Sequence, residues 1–122
     1  MSGQKYRLTD LADSDIEEIL TYTDREFGPR QFEVYRGLIE EACQLIGEAP
    51  MRPSSRSRDE LGKGVRSFHI EIAAGRKGAA SHILYYIPGE LEDSTQGAVT
   101  LRVLWDGMEP RPFVARGLDR IG

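Results

Sequence analysis

Few residues of this chain are of a type that does chemistry, and their spacing decides what each can do. The histidines are His69 and His82. They fall on neighbouring apolar segments that a hairpin would bring together. No HExxH pattern and no second cysteine accompanies them, so cross-strand or solvent-facing histidines are favoured over a metal site. Cys43 stands alone in a helical apolar pattern, which excludes a disulfide framework and points to a buried thiol rather than a nucleophile. Asp15, Glu17 and Glu18 open a helical pattern, where acids serve the helix dipole before they serve as an acid–base pair. Arg66 and Arg102 sit mid-strand. An arginine there costs desolvation, so each either pairs with an acid or faces a groove. Small metal-free nucleases handle a 2′-hydroxyl and a phosphate with basic side chains and a tyrosine. Tyr85 and Tyr86, however, lie inside an apolar run and read as core. No GxSxG elbow, GxGxxG loop or GxxxxGK[ST] phosphate loop is present. No metal and no cofactor is expected.

One stretch remains unassigned by that survey. TLRVLWDGMEPRPF, residues 100 to 113, places the only tryptophan, Trp105, and then Met108 and Phe113 where Pro110 and Pro112 end regular structure. These side chains either close over a core or form a surface for something else.

The elements that would position these residues follow from periodicity. KYRLTDLA (5 to 12) alternates and predicts a short strand. Ser14-Asp15-Ile16-Glu17 matches the capping box, and Ile16, Ile19, Leu20, Thr23 and Phe27 continue as one apolar stripe of a helix. Gly28-Pro29 ends that helix and starts a second, from Pro29 to about Ile46, with Gly47 as its stop. So tight a junction makes an antiparallel helical hairpin. Residues 51 to 63 predict a polar, basic loop. VRSFHIEI (65 to 72), HILYYI (82 to 87) and VTLRVLW (99 to 105) predict three strands joined as an antiparallel meander. In the last of these, Val99, Leu101, Val103 and Trp105 share one face. The expected fold is α+β, ordered β-α-α-β-β-β, with the hairpin packed on one face of a small, mainly antiparallel sheet. The other face needs a cover, and no further helix is evident.

Composition narrows the function class. A chain of 122 residues makes a single domain, 1–122, with one core. With 39% hydrophobic and 30% charged residues it is globular rather than disordered. No window approaches the about 20 apolar residues of a membrane span, and MSGQKYRLTD has no signal-peptide core. A cytoplasmic location is expected. The net charge of −4 argues against a protein that coats nucleic acid. The charge is uneven. Residues 1 to 50 hold five basic and eleven acidic residues, a net −6, and residues 51 to 122 hold eleven and nine, a net +2. The basic excess is sharpest at Arg52, Arg56, Arg58, Lys63 and Arg66, which face only Asp59 and Glu60 and read first as a solvated loop.

The order of elements, together with the stretches YRLTDLADSDIEEILTYTDREFGPRQFEVY, LGKGVRSFHIEI, HILYYI and LRVLWDGMEPRPF, resembles the ParE toxins of the RelE/ParE superfamily. The resemblance spans nearly the whole chain. It implies the toxin of a type II toxin–antitoxin system that inhibits DNA gyrase by stabilising its cleaved-DNA state. It also implies neutralisation by a ParD-like antitoxin whose disordered C-terminal segment folds onto the toxin, covering the open sheet face. DNA would be met only indirectly, through the antitoxin. Such a toxin is not itself a catalyst. RelE relatives, which cut mRNA on the ribosome, are strongly basic and keep catalytic lysines and a C-terminal tyrosine. This chain has only Lys5, Lys63 and Lys77 and no tyrosine after Tyr86. Endoribonuclease action and a non-toxic member that only binds its antitoxin are the alternatives. Within the resemblance, Arg66, Arg102, Trp105, Met108, Phe113 and Arg116 are expected to face the target, and Tyr22, Phe27, Tyr35, Phe68 and Leu104 the antitoxin. The segment from Gly89 to Gly97 reads as a loop longer than that of ParE proteins, and Trp105 stands where they often carry histidine.

Overall fold

The computed structural model describes residues 4–121; Met1 to Gly3 of the polar N-terminal stretch, and Gly122, lie outside it. Strand β1 (Tyr6–Leu8) leads into helices α1 (Asp10–Phe27) and α2 (Pro29–Glu48). Strand β2 (Arg56–Ser57), a 3-10 turn (Asp59–Leu61), strand β3 (Arg66–His69) and a short helix α3 (Glu71–Ala74) follow. Strands β4 (His82–Glu90) and β5 (Gln96–Trp105) and helix α4 (Arg111–Leu118) complete the chain. The sheet order is β1-β5-β4-β3-β2. The pairs β2–β3, β3–β4 and β4–β5 are antiparallel, and only β1 runs parallel to its neighbour, β5. The expected α+β architecture, a helical hairpin followed by a mainly antiparallel sheet, is the one found.

Helix α1 begins four residues before the expected capping box. Thr9 is its cap: the hydroxyl accepts the Ala12 N–H at 3.0 Å and donates to the Leu101 carbonyl at 2.9 Å, so one side chain closes the helix start and ties it to β5. That frees Asp15, one turn into the helix, for another task. Gly28, at φ +92°, makes the turn between the helices, as Gly28-Pro29 predicts.

Gly47 corrects the sequence-based end of α2. It is buried inside the helix, which runs on to Glu48. A Cβ at Gly47 would overlap the Lys5 carbonyl. The glycine is required for close approach of α2 to the start of β1, not for stopping the helix.

Two apolar clusters fill the two sides of the sheet. Under the hairpin, Leu20, Tyr35, Ile39, Cys43 and Ile46 meet Phe68, Ile70, Leu84, Tyr86 and Val103. On the opposite side Val65, Tyr85, Leu101 and Leu104 meet Val114, with Phe113 and Leu118 packed against them. The second cluster corrects three expectations. Part of the cover for that face is internal: α4 supplies it over β5 and its neighbours. Pro110 and Pro112 do not end regular structure but begin it, because the first turn of a helix needs no N–H from them. The 51–63 segment is not a plain loop, since β2 pairs with β3 and Leu61 of the 3-10 turn is buried.

Strand register explains two further departures. Tyr85 pairs with Arg102 but Tyr86 with Thr100, so Leu101 is an extra residue in β5. The bulge breaks the expected alternation: Val103 joins the hairpin cluster, and Leu101 and Leu104 join the α4 cluster. Gly89 to Gly97 is mostly paired strand, with Gly89 opposite Gly97 and Glu90 opposite Gln96, and only residues 91–95 turn. Strand β3 ends at His69, so Ile72 lies in α3 and is exposed.

Candidate functional site

The site forms where β1 runs out. Leu8 is the last β1 residue paired with β5, opposite Thr100. Beyond it, the outer edge of β5 would be bare. Asp15 of α1 takes over: one carboxylate oxygen accepts the Val103 N–H at 3.0 Å, and the two oxygens receive Arg102 Nε and Nη2 at 2.7 Å each. The remaining Arg102 nitrogen donates to the Phe113 carbonyl at 3.2 Å. Arg102 is 8% exposed. Its hydrogen bonds to Asp15, more than their bare charge attraction, hold the guanidinium pKa above its ordinary value against the opposing effect of burial. This one ion pair joins α1, β5 and α4.

Around it, Ile19 and Glu18 of α1, His82 of β4, and Trp105, Met108 and Phe113 line a groove of about 290 Å³. Trp105 is 56% exposed, although it is the largest apolar side chain in the molecule. The turn that follows is closed by the Met108 N–H donating to the Trp105 carbonyl at 3.0 Å. The Phe113 ring meets two cations, Arg102 at 5.5 Å and Arg116 at 5.8 Å from its centroid.

The histidines are fixed by their neighbours. Tyr35 Oη accepts the Ser81 N–H at 3.2 Å and is hydrogen-bonded to His82 Nδ1, 2.6 Å away. Burial lowers the His82 pKa; Asp106 works against that shift and His69 adds to it. At His69, Nδ1 accepts the Glu71 N–H at 3.1 Å, and Nε2 faces Asp106 at 2.9 Å. Both Nδ1 atoms are thus engaged in structural hydrogen bonds. Cys43 is buried, and desolvation pushes its thiol up to about 12, far from a nucleophile's range.

The residues expected to face a target divide unevenly. Arg102, Trp105, Met108, Phe113 and Arg116 are brought together here. Arg66 is not: it lies in β3, and its guanidinium donates to Ser55 Oγ at 3.0 and 2.8 Å. Of the residues expected to face an antitoxin, Tyr22 and Phe27 are exposed at the far end of the hairpin, their rings edge to face at 6.4 Å. Tyr35, Phe68 and Leu104 lie deeper. Phe68 is 1% exposed in the hairpin core, Tyr35 is committed to Ser81 and His82, and Leu104 is buried in the α4 cluster while edging the groove. They support surfaces rather than present them. Sequence reasoning missed Glu18, Ile19 and His82 as groove residues. Only the three- and four-residue spacing of Asp15, Glu18 and Ile19 on one helical face hinted that they act together.

What this arrangement can do is grip. It offers an apolar trough with an indole, a thioether and a phenyl ring, edged by Glu18 and the His82 imidazole. It does not assemble a free general base beside a nucleophile. Among the described helices none is long and apolar enough to cross a membrane. A family model described as the ParE toxin of the type II toxin–antitoxin system, parDE, matches residues 6–109. The match runs from β1 through the turn after β5 and stops just before α4. No curated protein matches the chain.

Proposed function

The chain belongs to the family of ParE toxins of type II toxin–antitoxin systems, and on that premise we propose that it inhibits DNA gyrase and is neutralised by a ParD-like antitoxin in the cytoplasm. The observation that carries the reading is the groove at the end of β5. Its most exposed apolar residue, Trp105, is held on a closed turn beside Met108 and Phe113. Aromatic and methionine side chains so placed are characteristic binding anchors. Catalysis by the same residues is disfavoured by their commitments. Arg102 is spent on Asp15 and Arg66 on Ser55, and both histidines have their Nδ1 atoms engaged. The antitoxin is assigned the exposed Tyr22–Phe27 pair at the hairpin end, which an amphipathic helix fits.

Controlled expression in a bacterial host tests the reading. Filamentation with DNA-damage signalling, relieved by coexpression of the reading frame next to the toxin's own, is the expected outcome. Arrest of translation with cleaved mRNA, lost in Arg66→Ala or Arg102→Ala, would replace gyrase inhibition by ribonuclease action. Healthy cells at full expression would leave only antitoxin binding.

A further inference from the structure

Helix α4 covers only part of its side of the sheet. The uncovered part, over β2, β3 and the start of β4, holds a pocket of about 380 Å³ lined by Ser54, Arg56, Arg58, Ser67, His69 and Glu71, with Ile72 and Ile83 as its apolar side. Strand pairing builds it: Arg56 stands opposite Ser67, and His69 opposite Ile83. Two cations therefore flank a floor with a hydroxyl and an imidazole, above one apolar wall.

The charges do not cancel within the pocket. Arg56 has no acidic partner within salt-bridge distance among the described residues. Arg58 gives its Nε to Glu60 at 2.7 Å and lies over the Tyr85 ring, 5.7 Å from the centroid. Its terminal nitrogens have no acidic partner within salt-bridge distance among the described residues. Glu71 also lines the pocket, as a single negative charge with one oxygen held by the Gly78 N–H at 2.7 Å, and Asp106 is engaged by His69. Paired guanidinium forks with nearby hydroxyls suit a phosphate oxygen cluster better than a carboxylate, which would use only one fork.

We infer that this pocket binds a phosphate ester, with a backbone phosphate of nucleic acid as its occupant. The inference rests on the gyrase reading for its purpose only. Gyrase works with DNA bound to it, and a chain of net charge −4 needs a local site for a phosphate to approach that complex productively. Direct DNA contact of this kind goes beyond the indirect contact, through an antitoxin, that the sequence resemblance implies.

The test is an NMR titration of the full chain without gyrase, so its outcome is independent of the toxin's target. Inorganic phosphate, a deoxynucleoside monophosphate and a short DNA duplex are added in turn. The expected result is duplex-induced shifts at Arg56, Ser67 and His69. Affinity should fall about tenfold in Arg56→Ala, and the dependence of log affinity on log salt should fall by about 1. Arg30→Ala, which removes the same charge from the exposed start of α2, should leave both unchanged. Equal affinity for the monophosphate and the duplex would assign the pocket to free phosphate esters. Absence of shifts at these residues with all three probes, or equal losses in Arg56→Ala and Arg30→Ala, would overturn the site.

Discussion

At the scale of single residues, Asp15 does the most. It pairs with Arg102, closes the bare edge of β5 and so shapes the groove. Both partners are nearly buried, with side chains 12% and 10% exposed. Removing one leaves the other charge uncompensated, so Asp15→Ala should cost about 3–5 kcal/mol in urea unfolding, and the paired apolar replacement Asp15→Leu with Arg102→Met should recover most of it. Trp105→Ala should behave in the opposite way. It should change stability by about 0.5 kcal/mol or less, yet weaken gyrase inhibition by about 2 kcal/mol, roughly thirtyfold. His82 supplies a pH dependence. Its folded pKa lies below the ordinary 6.5 because burial opposes protonation. The unfolded chain therefore takes up the proton first as pH falls. Stability is fully present above about pH 6.5 and is lost below it until the folded pKa is passed. Urea midpoints measured from neutral to mildly acidic pH should decline in the parent and flatten in His82→Gln. From the residues alone, Arg102 could be read as either ion-paired or groove-facing, and it is both. Its partner could not be named, because the pairing joins positions 87 apart in the chain.

At the scale of elements, periodicity made the helical hairpin and the meander legible, because amphipathic stripes and alternation are local signals. What stayed hidden was set by contacts distant in sequence. The start of α1 is decided by Thr9 reaching Leu101 across the fold, not by the local capping pattern. Helix α4 was masked by two prolines that regular structure tolerates only at its first turn. The bulge at Leu101 swapped the faces of half a strand. Helix α4 has a consequence for experiment. Truncation after Asp106 would strip the cover from Val65, Tyr85 and Leu101, so it should abolish cooperative thermal unfolding rather than remove a surface alone. The milder Val114→Ala should lower stability by about 2 kcal/mol while leaving the groove lining intact. Gly47→Ala should cost about 1–3 kcal/mol, because α2 must shift away from Lys5 to admit the methyl group.

At the scale of the whole molecule, the asymmetry of charge in the sequence becomes an asymmetry of position. The acidic first half forms the outer surface of the helical hairpin. The basic residues from Arg52 to Arg66 gather around β2 and β3. The groove at the end of β5 lies between α1 and α4. A toxin so built has two separate surfaces, one at the hairpin end and one at the end of β5. The most direct test of gyrase inhibition is supercoiling of relaxed plasmid by purified gyrase with increasing amounts of the purified chain. Supercoiling is expected to fall while cleaved plasmid accumulates, and added antitoxin to restore it. Undiminished supercoiling at saturating amounts of the folded chain would contradict gyrase inhibition.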